Sequence, residues 1–266
     1  MHREELKSLA TYAISDLHGQ YNMFLKLLEK VEFSDKDELY MLGDAIDRGP
    51  DGIKILKHVM NAKNMHFLLG NHEFMMLNGV APDGSATADY GKLPGKDSDL
   101  WIFRNGGNKT YFKYKLLKKD ERIELLTWLR SCPLSTKVTV NGTTYILTHS
   151  FFKEDKIDVP YSEIDYQTAW DIVWQSPFRW DVYMDNKEYT AYEPWIFIIG
   201  HVPTCHADEA EGWRPLGIYR EDNIIDIDGC CAHYDNNDKY YKGGILLRLD
   251  DLKAFTITFD ELEKMG

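Results

Sequence analysis

Short apolar runs that end in polar clusters recur along the first seventy residues. Thr11 to Ile14 reads as a strand, a helix follows from Tyr21, and Glu38 to Leu42 reads as a second strand. In that helix Phe24, Leu27, Leu28 and Val31 fall at i, i+3, i+4 and i+7, which puts them on one buried stripe. A second helix over 52–60 repeats the spacing with Ile53, Leu56 and Met60, and Met65 to Leu69 supplies a third strand. Strands alternating with helices imply a parallel sheet. Each strand runs directly into polar residues: SDLHG at 15–19, GDAIDRG at 43–49 and GNHE at 70–73. The carboxyl ends of parallel strands are where open α/β sheets hold ligands.

The pattern changes at Gly79. Six of the 19 glycines lie between Gly79 and Gly107, with Pro82 and Pro94 among Ser, Thr and Asp, so 79–107 reads as a long loop or small cap. A helix over Glu121 to Arg130 follows and stops at Pro133. Two β-rich runs then flank Asn141-Gly142, a type I′ hairpin signal, and the second run, Thr143 to Thr148, delivers His149. Residues 152–193 read as an irregular aromatic insertion. The strand Trp195 to Ile199 runs into GHVPT at 200–204; a strand Asn223 to Ile227 and a hairpin across 243–259 complete the pattern. With no repeat and no evident linker, the expectation is a single α/β domain over 1–266.

Composition narrows the function. There are 43 acidic against 31 basic residues, a formal charge of −12, which argues against a nucleic-acid-binding face or an anionic-membrane face. No apolar run approaches the roughly 20 residues that cross a bilayer. The start, MHREELKSLATY, lacks the apolar core of a secretory signal, and Cys132, Cys205, Cys230 and Cys231 form no CxxC pair, so reduced thiols and a cytoplasmic location are expected.

Chemistry concentrates at the strand ends. Asp16 and His18 leave the first strand, Asp44 and Asp47 the second, and Asn71 and His72 the third, while His149 and His201 each follow a later apolar strand. Oxygen and imidazole donors together suit Mn, Fe, Zn or a similar ion and not a thiolate site. There are enough donors for two ions sharing one carboxylate, the arrangement that clamps both oxygens of an in-line phosphoryl displacement. Taken singly, Asp16 or Asp44 is as readily a helix cap, and His149 or His201 a packed strand-end histidine. Ordered together they imply hydrolysis of a phosphoester.

SDLHG, GDAIDRG, GNHE, a histidine after a strand and then GHVPT resemble the ordered motifs of the phosphoprotein phosphatase family, the serine/threonine protein phosphatase type of calcineurin-like metallophosphoesterase. IDIDG (225–229) and GGILLRL (243–249) are similar to that family's closing strands. The resemblance implies two facing mixed β-sheets flanked by helices and two divalent ions, manganese first, with iron, zinc or magnesium as alternatives. It implies Asp16, His18 and Asp44 on the first ion and Asp44, Asn71, His149 and His201 on the second. A metal-activated water would attack phosphorus without a phosphoenzyme. His72, oriented by Asp47, would protonate the leaving oxygen, and Arg48 would grip the phosphate.

The sequence also departs from that family. Leu69 stands where an arginine usually precedes GNHE, the run after the fifth strand is His149-Ser150-Phe151, and Arg179 is only a second candidate for the phosphate. Phosphoprotein or small phosphomonoester hydrolysis is therefore the first expectation. Symmetrical dinucleoside tetraphosphate hydrolysis is the alternative; Asp47 and Glu73, often altered in those relatives, are present here, whereas the aromatic segment favours a nucleotide. A catalytically silent metal-binding module ranks last, because every expected ligand is present. His2, His58, His66, His206 and His233 have no such context and read as surface or packing residues. Cys230 and Cys231 read as small buried hydrophobes, and Trp170, Trp174, Trp180 and Trp195 as cap packing ahead of stacking on a substrate ring.

Overall fold

The computed structural model describes residues 9–177, 191–206, 215–232 and 238–265. In chain order these form β1 (Thr11–Ile14), α1 (Tyr21–Lys30), β2 (Glu38–Met41), α2 (Gly52–Asn61), β3 (Met65–Phe67) and α3 (Asn71–Gly79). Next come α4 (Asn108–Tyr114), α5 (Lys119–Ser131), β4 (Ser135–Val140), β5 (Thr143–Thr148) and α6 (Tyr166–Trp174). The last are β6 (Ile196–Ile199), β7 (Tyr219–Glu221), β8 (Ile224–Asp226), β9 (Gly243–Arg248), β10 (Lys253–Thr258) and α7 (Phe259–Lys264). They assemble two five-stranded mixed sheets of order β10-β9-β1-β2-β3 and β4-β5-β6-β8-β7.

Alternation along the strands sorts the apolar side chains into three layers. Ala13, Ile245 and Leu247 of the first sheet meet Tyr145, Leu147, Ile198 and Ile225 of the second, forming the layer between the sheets. Their sequence neighbours Tyr12, Ile14 and Leu246 point the other way, under α1 and α2 with Phe24, Leu27 and Leu56. On the far side, Ile146, Phe197, Ile199 and Ile224 form a third cluster with Phe151 and Phe152. A central strand covered on both faces must be apolar at every position, which is why IFII and GGILLR show no polar alternation.

β1, β2 and β3 are mutually parallel, as are β5, β6 and β8, so six carboxyl ends are available to build a site. Asn141 and Gly142 both have positive φ, 50° and 82°, as the β4–β5 turn requires. Several expectations need correction. β3 stops at Phe67 because the Leu69 N–H leaves the sheet for Pro133 O at 3.1 Å. α3 escapes periodicity because eight of its nine residues are buried, leaving no polar face. The described part of 152–193 is not irregular throughout: Asp165 accepts the Thr168 N–H at 3.0 Å and starts α6. The strand expected over 223–227 is the second arm of a β7–β8 hairpin. All four cysteines are free, as the sequence suggests, and Cys132 and Cys205 are buried as well as Cys230 and Cys231. No helix among the described residues is long and apolar enough to cross a membrane.

Candidate metal centre

Five of the six strand ends supply side chains to one rim. Asp16 and His18 follow β1, Asp44 to Arg48 follow β2, Asn71 and His72 open α3 after β3, His149 ends β5 and His201 follows β6. The sheets are tied together there, because Asp16 Oδ2 accepts the His201 N–H at 3.0 Å and also the Ser15 hydroxyl. Side chains that must converge this tightly force the backbone into unusual turns. Asp16, His18, Asp44, Asp47, Arg48 and His201 all have positive φ, between 42° and 74°. Such a conformation costs a residue with a Cβ about 1 kcal/mol or more. Two glycines make the crowding possible: a Cβ on Gly70 would collide with Asp44 Oδ1, and one on Gly200 with Asp16 Oδ2.

Two donor groups result. His18 Nε2 lies 3.5 Å from Asp44 Oδ2 and 3.9 Å from Asp16 Oδ1. On the other side of Asp44, His149 Nε2 lies 3.5 Å from Asp44 Oδ1, 2.9 Å from Asn71 Oδ1 and 3.2 Å from His201 Nδ1, and the last two are 3.1 Å apart. His18 Nδ1 donates to Ile46 O at 3.0 Å and His149 Nδ1 to Leu42 O at 2.8 Å. With Nδ1 donating to a carbonyl, each ring turns its Nε2 towards the carboxylates. Lone pairs that face one another with few protons between them fit a cation, and an imidazole whose second nitrogen is anchored to a carbonyl is the usual support for a metal ligand. Asp16, Asp44 and His149 form one set of atoms close enough to hold an ion, and His18 and Asp44 belong to another that His72 also reaches, although the two His72 nitrogens meet Asp47 and Arg48.

Beside this lies a second constellation. His72 Nδ1 is 2.6 Å from Asp47 Oδ2, which also accepts Trp101 Nε1–H at 2.8 Å, while the Asp47 N–H donates to Thr110 Oγ1 at 2.8 Å. Arg48 Nη2 donates to His72 Nε2 at 3.3 Å. Trp101 and Thr110 come from the cap and α4, and nothing in their local sequence marks them. Glu73 has no assigned role in the sequence reading, yet it is fully buried and holds the Asp44 turn: Oε2 accepts the N–H of Asp44 at 2.9 Å and Gly70 at 3.1 Å, and Oε1 those of Ala45 at 2.9 Å and Ile46 at 3.3 Å. A Glu three residues after the glycine that precedes a helix was the available signal. Arg179, with Trp180, His2 and His233, lies outside the described residues. His58 contacts the Tyr21 hydroxyl and His66 pairs with Glu38, both away from the site. Trp170 and Trp174 stack on each other, and Trp174 stands edge-on to His201 at 5.8 Å.

Without a cation the cluster is electrostatically strained. Burial pushes Asp16 and Asp47 up to about 7 and lifts Asp44 well above the usual carboxylate range, with neighbouring Glu73 adding to it. Burial, then His72 and Arg48, hold His18 well below its ordinary value. The folded state therefore binds extra protons at these carboxylates between about pH 4 and 7, and that part of its stability is lost as pH rises through the window. His18 acts oppositely, but one imidazole stands against three carboxyl groups. Chelator-stripped protein is thus expected to melt at a lower temperature at pH 8 than at pH 5.5. Added Mn²⁺ should raise the melting temperature more at pH 8. A stripped protein whose melting temperature is flat or rises with pH would contradict this.

Carboxylates, imidazoles and one amide gathered at the carboxyl rim of two facing mixed sheets are the arrangement of a metallophosphoesterase. The chain belongs to the calcineurin-like phosphoesterase family, whose pattern matches residues 9–241. It is 33% identical over 124 residues, 46% of this chain and 38% of the relative, to a symmetrical bis(5'-nucleosyl)-tetraphosphatase of Buchnera aphidicola subsp. Acyrthosiphon pisum. It is 32% identical over 145 residues, 53% of this chain and 44% of the relative, to the protein of that name from Delftia acidovorans. These matches span less than half the length of either relative. Among solved structures, a cold-active protein-tyrosine phosphatase of a psychrophilic Shewanella superposes with a TM-score of 0.54 at 19% identity, over 96% of this chain and 79% of that one. A metallophosphoesterase from Sphaerobacter thermophilus gives 0.54 at 15% identity, over 94% and 87%. These two likenesses speak for the fold alone.

Proposed function

We propose that the protein is a metal-dependent hydrolase of symmetrical dinucleoside tetraphosphates. The observation that carries the reading is the convergence of Asp16, His18, Asp44, Asn71, His149 and His201 beside the His72–Asp47 pair and Arg48. The named relatives favour a dinucleotide over the phosphoprotein that the motifs alone put first.

Asp16, His18 and Asp44 would hold one divalent ion, and Asp44, Asn71, His149 and His201 a second. Bound there, such ions supply positive charge and a nucleophilic oxygen at neutral pH. The remaining work falls to side chains. Arg48 presents a planar fork to the non-bridging phosphate oxygens. In the structure that fork donates to His72 Nε2, so gripping phosphate draws Arg48 off and leaves Nε2 free to carry a second proton. Asp47, fixed by Trp101 and Thr110, holds the other side of the ring and stabilises the imidazolium. His72 Nε2 then delivers its proton to the leaving phosphate oxygen.

Mn²⁺-loaded protein is expected to convert diadenosine tetraphosphate to two molecules of ADP with a higher kcat/KM than for a phosphothreonine peptide, and EDTA should abolish both. A preference for the peptide would return the assignment to the phosphoprotein reading. Absence of metal-dependent turnover on the dinucleotide would sink the proposal.

A further inference from the structure

In a chain of net charge −12, the stretch from Leu100 to Lys119 holds Arg104, Lys109, Lys113, Lys115, Lys118 and Lys119 and not one acid. This basic run adjoins the site. Trp101 and Thr110 bind Asp47, Gly106 O accepts the Arg48 N–H at 3.4 Å, and Lys109 Nζ donates to Arg48 O at 2.6 Å. Beside α4 opens a cavity of about 340 Å³ lined by Pro50, Tyr90, Asn108, Lys109, Phe112 and Lys113. Pro50 lies two residues past Arg48, so the cavity begins where the phosphate grip ends.

Asn108, Lys109, Phe112 and Lys113 sit at i, i+1, i+4 and i+5 of α4, which places them on one face, and all four are exposed. Phe112 leaves 48% of its surface to solvent. Lys92 and Lys119 are paired with Asp89 and Asp83, whereas Lys113 has no carboxylate partner among the described residues. An open aromatic ring flanked by ammonium groups suits a nucleotide: the ammonium groups take phosphate oxygens, and the rings take the flat base. A cavity of this size is in the range that holds a small ligand rather than an extended peptide.

We propose that this face of α4 binds the distal nucleoside phosphate of the substrate, Lys109 and Lys113 on its phosphate oxygens and Tyr90 and Phe112 on its base. The assignment rests on the dinucleotide reading of the site. It makes α4 with Tyr90 of the cap, and not the metal centre, the part of the protein that selects a nucleotide.

Lys113→Glu and Phe112→Ala test it, since both side chains are exposed and neither is placed at the reacting phosphorus; Lys109 is left intact because it supports Arg48. With Mn²⁺ present, each variant is expected to lose about tenfold or more in kcat/KM for diadenosine tetraphosphate, carried by KM. Turnover of p-nitrophenyl phosphate, which has no distal arm, should stay within about twofold, as for other surface changes. Equal losses on the two substrates, or none on the dinucleotide, would overturn the proposal. A loss on an acidic phosphothreonine peptide alone would give the face to a peptide and also overturn it. Should the unmodified protein not cleave the dinucleotide at all, the functional reading has failed, and equilibrium binding of ADP judges the subsite alone. Weaker ADP binding by Lys113→Glu then supports it, and unchanged binding overturns it.

Discussion

Replacing His72 with Asn is expected to leave the metal content intact and to slow turnover in proportion to the basicity of the leaving oxygen. The loss should reach about 10²–10⁴-fold on an alkyl phosphate, the range by which a positioned proton donor contributes. It should be smaller on p-nitrophenyl phosphate and diadenosine tetraphosphate, whose leaving groups depart as weak bases. The expectation follows from geometry. His72 is anchored through Nδ1 to Asp47 at 2.6 Å and directs Nε2 at the space shared with Arg48 and Asp44. Asn can neither carry nor deliver the second proton. The checks are metal analysis of the purified variant and rates on the three substrates. A loss equal on all three would remove His72 from the proton-donating role.

The second large effect is at a residue that touches no reactant. Glu73→Gln is expected to lower stability by about 3–5 kcal/mol, because one oxygen of a buried carboxylate that receives four backbone N–H groups becomes an NH2 that faces two of those donors. The Asp44 turn then loses its clamp, and Asp44 is the carboxylate common to both candidate metal sets. Denaturant unfolding should show the drop, and titration with Mn²⁺ should show weaker binding in the fraction that remains folded. A variant with normal stability and full metal affinity would contradict the clamp.

These two residues also mark how far the sequence could be read. His72 was legible because its partners lie in the same ordered motifs, Asp47 twenty-five residues before it. Its further supports, Trp101 of the cap and Thr110 of α4, arrive 54 and 63 residues beyond Asp47, and no periodicity or spacing announces a contact of that kind. The helices on the outer face were legible where one side is wet: α1 and α2 carry clear apolar stripes. α3 was not, since a helix buried all round presents no contrast between faces. The tryptophans show the same limit. Trp170 and Trp174 belong to an unforeseen α6, and whether they packed the cap or met the site depended on where that helix lies. It lies between the two, meeting the cap through the Tyr166 hydroxyl, which donates to Asp97, α3 through Trp170 on Phe74, and His201 through Trp174. The face proposed for the distal nucleotide was hidden for a different reason. A lysine pair such as Lys118-Lys119 reads as solvated surface, and its membership in a longer acid-free run next to Arg48 emerges only once α4 is placed.

The tie between Asp16 and the His201 N–H joins positions 185 residues apart, and β1 is completed only by β9, with Tyr12 opposite Arg248. At a synthesis rate of about 5–20 residues per second, roughly 10–40 s pass on the ribosome between the emergence of Asp16 and that of His201. During that interval Asp16, His18 and Asp44 have only β1, β2 and β3 to space them, without β9, the second sheet or the His201 tie. Loose carboxylates and imidazoles bind whichever divalent ion is most competitive, in the general order that favours copper and zinc over manganese. An ion bound before the last strands dock would meet an incomplete donor set, and one bound afterwards the whole rim, so the metal taken up would depend in part on when loading occurs.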